Sequence, residues 1–312
     1  MSWIARMSWL GGIVLALIVT SVPLRAEEVK IEQQALDVLG NLEIAKGKSL
    51  KQDPVVLLVH DTLGHHRMEI ISALQELLSE RGVSSLAITL SLGLNERRGM
   101  FDCNIEQDHR NEDAVEEIQA WVDWLKNQGA KNIIVAGHSR GGNQAAVYVA
   151  KKHDPAVKKA ILIAPLAQTP SNIGAEYERR FRLPLQPALA EAEKQMDEIG
   201  ATALMDGVAF LNCDRAKVTA GAFVNYYGPN QNLYTPSILP FLKMPVLVVV
   251  GTMDPLAQEL EPAIRGMPDN KNTTLVTIPD ADHFFTNYKT EDLADRIKDF
   301  VLSKTTKSAQ KR

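Results

Sequence analysis

Asn132-Ile-Ile-Val-Ala136 runs without interruption into Gly137-His138-Ser139-Arg140-Gly141, and from there into Gly142-Asn-Gln-Ala-Ala-Val-Tyr148. The first piece reads as a short buried strand and the last as a helix, so the serine falls on the turn between them. A residue on so tight a turn adopts strained backbone angles, and a side chain at 137 or 141 would collide with neighbouring backbone. Glycine at both ends answers that demand.

Working outward, apolar β-branched runs recur at Val55–Val59, Ser85–Leu90, Ala160–Ala164, Val246–Val250 and Thr274–Ile278. Amphipathic stretches lie between them, at Met68–Glu80, Asp113–Asn127, Asn143–Lys152, Pro255–Ile264 and Glu291–Leu302, with Gly82 and Gly129 placed where helices stop. This alternation predicts an α/β fold whose mostly parallel sheet carries helices on both faces. Ligands of such sheets bind beyond the carboxyl ends of the strands. One connection, Pro165 to Lys243, holds about 80 residues, far more than a crossover needs. It predicts an insertion at about 167–243, helical in pattern over Tyr177–Ile199 except at Pro184 and Pro187, standing over the catalytic edge as a cap or lid.

A serine hydroxyl is a poor nucleophile at its own pKa and needs a base that a third group orients. Asp254 follows the strand Val246–Val250, and His283 follows the strand Thr274–Ile278. Taken singly, Asp254 reads as a helix cap, Asp280 and Asp282 as loop solvation and His283 as a surface imidazole. Taken together, the order Ser139, Asp254, His283 places a nucleophile, an orienting carboxylate and a base on one rim. His109 and His153 read as exposed near helix ends. His60, His65 and His66 lack carboxylate or cysteine ligands at recognised spacing, so no metal and no other cofactor is expected.

The chain of 312 residues has 34 Lys+Arg against 38 Asp+Glu, 45% hydrophobic and 23% charged residues. That balance excludes disorder and a multispanning membrane protein, and makes nucleic acid an unlikely partner. Residues 1–26 read as a secretory signal: Arg6, an apolar run from Leu10, then Pro23 and Ala26. The alternative is an N-terminal membrane anchor, although Leu10–Leu24 falls short of the roughly 20 residues a span needs. Removal of the signal leaves a main domain at 27–303, a polar tail at 304–312, no stable membrane span and a periplasmic or secreted location. Export permits a disulfide between Cys103 and Cys213, since the loop after Leu92 and the insertion leave by the same edge. The alternative is two independent buried thiols. Oligomeric state is not legible.

From Val55 to Phe300 the chain resembles the α/β-hydrolase fold superfamily, specifically an exported bacterial branch. The resemblance rests on His60-Asp61-Thr62-Leu63-Gly64, similar to the H-G-x-x-G oxyanion loop, on the nucleophile elbow with Gly137 and Gly141, and on the late Asp and His. The run Ser91-Leu-Gly-Leu-Asn-Glu-Arg-Arg-Gly-Met-Phe-Asp-Cys103 also carries it. It implies a serine hydrolase acting on carboxylic esters of small acyl substrates through an acyl-enzyme. Ser139, His283 and Asp254 would form the triad, and the backbone N–H groups of Thr62 and Arg140 the oxyanion hole. The alternatives are a non-catalytic exported binding protein on the same scaffold, or a peptidase or acyltransferase using the same triad. Asp61 stands where the superfamily has glycine, and is expected to turn away and cap a turn or pair with Arg67. Arg97 and Arg98 read as a solvated or salt-bridged loop; with Arg140 they offer an attraction for an anionic substrate.

Overall fold

The computed structural model describes residues 26–255, 257–267 and 271–303. The expectations for the signal segment before Ala26 and for the tail 304–312 fall outside them, as does Leu256 of the expected helix Pro255–Ile264.

Six strands form the parallel body of an eight-stranded sheet: β3 (Val55–Val59), β4 (Ser84–Ile88), β6 (Ile133–His138), β7 (Val157–Ile163), β10 (Val246–Gly251) and β11 (Thr273–Ile278). Two more, β1 (Glu27–Gln33) and β2 (Leu36–Glu43), make an antiparallel hairpin, and the full order is β1-β2-β4-β3-β6-β7-β10-β11. The apolar runs in the sequence do not mark this hairpin. Its signal is weak because Val29 and Ile31 alternate with charged residues and only half bury.

Alternation in β3 shows why the apolar runs are continuous. Val55, Leu57 and Val59 face one core with Trp121 and Tyr148, whereas Val56 and Leu58 face the other with Leu74 and Phe285. Both faces of the sheet are therefore buried. Helices α2 (Ala114–Asn127), α3 (Arg140–Lys151) and α8 (Ala257–Arg265) cover the first face; α1 (Glu69–Glu80) and α9 (Lys289–Leu302) cover the second. Gly82 and Gly129 take positive φ just beyond α1 and α2, where a side chain would be strained.

The insertion after β7 carries α4 (Ile173–Phe181), α5 (Leu185–Glu198), β8 (Leu204–Phe210), β9 (Cys213–Thr219), α6 (Ala220–Tyr227) and α7 (Thr235–Ile238). The helical pattern over Tyr177–Ile199 is carried by two helices, and only one of the two expected interruptions is a break. Pro184 stands at the break, while Pro187 fits the first turn of α5, where a missing N–H costs nothing. The β8–β9 hairpin, not anticipated, joins β5 (Glu106–Gln107) in a three-stranded sheet. Phe210, Phe223 and Tyr226 fill a third core under it. Cys103 and Cys213 are bonded, with S–S 2.02 Å, and tie the loop after β4 to the start of β9. Among the described residues no helix is long and apolar enough to cross a membrane.

Candidate active site

The sheet delivers Ser139 at the carboxyl end of β6, with φ 56° and ψ −120°. Its N–H donates to the Ile163 carbonyl at 2.8 Å, which fixes the turn against the end of β7. A Cβ at position 137 would stand 2.1 Å from the Gly141 carbonyl oxygen, and one at 141 would stand 2.1 Å from that of His60. Both glycines are thus required by close backbone approach, as their spacing predicts.

The loops after β10 and β11 bring the other two groups to the same place. His283 Nε2 lies 3.0 Å from Ser139 Oγ, and Nδ1 lies 2.8 Å from Asp254 Oδ2. Asp254 is buried, so its carboxylate meets the imidazole away from bulk water. Met253 N–H donates to the Ala281 carbonyl, which holds the two loops together. Asp282 serves the turn: its carboxylate accepts from the N–H groups of Phe284 and Thr286.

The His60–Gly64 loop packs against the elbow. His60 Nε2 accepts from Leu90 N–H and from the Arg97 guanidinium, so its proton sits on Nδ1, which donates to the Asp61 carbonyl at 2.7 Å. Burial and the Arg97 charge hold this imidazole well below its ordinary pKa. His66 pairs with Thr89 and His65 with the backbone of Arg67, so the three histidines face separate partners. Thr62 and Arg140 line the cavity beside Ser139, and Arg140 Nε donates to Thr62 Oγ1 at 3.1 Å.

Asp61 departs from expectation. Arg67 pairs with Glu28 instead, and the turn N–H of Gly64 is taken by the Asp61 backbone carbonyl. The carboxyl stays at the site: Oδ1 is buried without a partner, packed where a Cβ on Gly64 would come within 2.3 Å of it. Burial pushes its pKa up to about 6, against the opposing pull of His283 and Arg140.

Two further readings change, those of His109 and Arg97. His109 is buried rather than exposed, because the insertion folds over it; its Nδ1 meets the Tyr226 hydroxyl and its ring lies among Phe101, Phe210 and Tyr226. His153 is exposed. Arg97 is not solvated: its guanidinium donates to the carbonyls of Leu90 and Gly99 and braces the loop from behind, while Arg98 pairs with Glu28. Neither faces the cavity.

Sequence reasoning missed several contributors. His138 Nε2 donates to the His283 carbonyl at 2.8 Å. Asn212, at the tip of the β8–β9 hairpin, donates to the Thr62 carbonyl at 3.2 Å. Arg179 and Arg180 of α4 line the cavity, which has a volume of about 390 Å³. Only His138, inside the motif, carried a signal that could have found it.

A parallel sheet with a strained serine at its carboxyl edge, met there by an imidazole and a carboxylate from later strands, defines an α/β-hydrolase architecture. The chain belongs to the alpha/beta hydrolase family, whose sequence model matches residues 56–296. Among solved structures it is similar to Est1E from Butyrivibrio proteoclasticus, with 21% identity and a TM-score of 0.62 over 88% of this chain and 97% of that one. An esterase from Pyrococcus furiosus is similar at 16% identity and a TM-score of 0.58, over 89% and 90% of the two chains. A dienelactone hydrolase from Anabaena variabilis is similar at 19% and 0.53, over 88% and 95%. These likenesses show the shared fold. No curated protein matches the sequence.

Proposed function

We propose that the protein is a serine hydrolase that cleaves carboxylic esters through an acyl-enzyme. The observation that carries this reading is the unbroken chain Ser139 Oγ, His283 Nε2, His283 Nδ1, Asp254 Oδ2, with its end at a backbone-strained serine facing a cavity. His283 takes the Ser139 proton as Oγ attacks the carbonyl, and Asp254 holds the imidazole in the tautomer that leaves Nε2 free to accept it. The N–H groups of Thr62 and Arg140 receive the developing oxyanion; losing one such donor typically costs ~10²- to 10³-fold in rate. Protonated His283 then gives its proton to the leaving alcohol. Water attacks the acyl-enzyme with His283 as base, and the acid departs. The residues drive every step themselves.

Est1E has been solved with ferulic acid bound, which supports a carboxylic acid as a ligand type on this fold. The disulfide supports export, with residues 1–26 as the signal, and the insertion at about 167–243 acts as the lid. The test is release of acid from a panel of 4-nitrophenyl esters by the mature protein, expected to disappear in Ser139→Ala.

A second reading, a non-catalytic exported binding protein, draws on Asp61. An ionised carboxylate beside Thr62 opposes a negative oxygen. Ester turnover that is equal in the parent protein and in Ser139→Ala would favour it.

A further inference from the structure

Arg140 is more than nine-tenths buried, yet among the described residues it makes no ion pair; Asp61 feels its charge without contacting it. Its guanidinium donates from Nε to Thr62 Oγ1 at 3.1 Å, reaches Asn111 Oδ1 only at 3.5 Å, and lies 4.9 Å from the centroid of the Tyr226 ring. A buried charge is costly unless an opposite charge answers it. Here the space left for that answer is the cavity in front of Ser139.

Two more guanidinium groups come to the same cavity from the opposite wall. Arg179 and Arg180 sit in the last turn of α4 and line it, and neither forms an ion pair with a described residue. Arg180 instead stands over the Phe181 ring at 5.7 Å. The carboxylates that share the lining do not cancel these charges. Asp254 is committed to His283. Asp61, with its pKa raised to about 6 by burial, is ionised above that pH and offsets only part of the Arg140 charge. Glu176 lies three and four residues before the two arginines on the same helix and pairs with neither. The cavity is thus bounded by three cations against Glu176 and, above pH 6, Asp61, with Arg140 buried at its floor and Arg179 and Arg180 exposed at its mouth. Guanidinium groups bind carboxylate and phosphate oxygens in forked geometry.

We propose that the substrate is an ester carrying a second, anionic group, a carboxylate or a phosphate, which Arg179 and Arg180 receive on the insertion side and Arg140 from the floor. This rests on the ester-hydrolase reading and adds the substrate's charge to it. It also moves the cationic attraction expected of Arg97 and Arg98 to residues that face the site.

The experiment compares three esters of matched length: 4-nitrophenyl valerate, the mono-4-nitrophenyl ester of glutaric acid, and the 4-nitrophenyl ester of 4-phosphonobutyric acid. The expected result is a kcat/KM at least ~10-fold higher for one or both anionic esters at low ionic strength, an advantage that shrinks as salt is added. The better of the two identifies the anion. In the double variant Arg179→Gln, Arg180→Gln the ratio of anionic to neutral ester should fall to about one, whereas Glu176→Gln should raise it about threefold. A ratio at or below one in the parent protein, or a ratio that the double variant leaves unchanged, overturns the proposal while ester hydrolysis stands. If no ester is turned over, the hydrolase reading fails separately. Calorimetry with glutarate and with inorganic phosphate then decides the anion site: binding weakened at least ~10-fold by the double variant supports it, and no binding overturns it.

Discussion

His138 Nε2 donates to the backbone carbonyl of His283 at 2.8 Å, and the two rings lie 4.9 Å apart. The carbonyl can only accept, so the His138 proton is on Nε2 and Nδ1 is a bare, buried acceptor. Burial, together with repulsion from His283, pushes the His138 pKa down to about 3. The residue before the serine therefore stays neutral beside the imidazole that the proposed mechanism makes cationic, and it fixes the loop that carries that imidazole. His138→Phe keeps a ring but loses the donor. Steady-state kinetics should show kcat lowered about tenfold with KM little changed, the size expected for one buried hydrogen bond. His138→Gln, which restores an N–H, should recover most of the loss.

Asp61 gives the fold a dependence on pH. Its carboxyl holds its proton to about 6 in the folded chain against an ordinary value of 3.8. Between those values the unfolded chain binds fewer protons, so this group's contribution to stability falls as pH rises through them. Asp61→Asn removes the loss. Denaturant titrations should find it more stable than the parent by about 1–3 kcal/mol at pH 8 and indistinguishable from it near pH 3. The same substitution removes a negative charge beside the Thr62 amide, so its turnover should exceed the parent's above pH 6 and converge with it below pH 5.

The Cys103–Cys213 bond is linked to the His60–Gly64 loop through its chain neighbours. Asn212, adjacent to Cys213, donates to the Thr62 carbonyl, and Phe101, two residues from Cys103, donates through its N–H to the Leu63 carbonyl. The double variant Cys103→Ser, Cys213→Ser should lose about 4–5 kcal/mol of stability on loop-entropy grounds, read from its unfolding midpoint. Asn212→Ala tests the local link without that global loss. Its kcat should fall severalfold while its melting temperature stays within about 2 °C of the parent.

Arg97 holds the other side of that loop through the carbonyls of Leu90 and Gly99 and through His60. A lysine cannot reproduce the fork. Arg97→Lys should therefore destabilise the protein by about 2–4 kcal/mol, measured by thermal unfolding, because several buried acceptors lose their donor.

The sheet was legible because its strands are buried on both faces. Val55–Val59 has no polar residue to obscure it; Ser139 follows the buried run Ile133–His138 directly, Asp254 comes shortly after the buried Val246–Gly251, and His283 comes after the half-buried edge strand Thr273–Ile278. The β8–β9 hairpin was not: Asp206, Asp214, Arg215 and Lys217 interrupt its apolar residues, and only packing beneath α5 and α6 makes one side of it core. His109 and Arg97 were misplaced for the same reason. Burial of a polar side chain is decided by what folds over it, and that is the insertion for His109 and the loop's own carbonyls for Arg97. Arg179 and Arg180 carry no signal in the sequence; only the placement of α4 brings them to the cavity that Ser139 lines.

Intact-mass analysis after exposure to a fluorophosphonate tests the central claim most directly. The account predicts addition of one phosphonyl group, mapped to Ser139 by peptide sequencing, absent in Ser139→Ala and slowed at least ~10³-fold in His283→Ala. A folded, disulfide-bonded protein that takes up no label, or one labelled equally fast without His283, would contradict it.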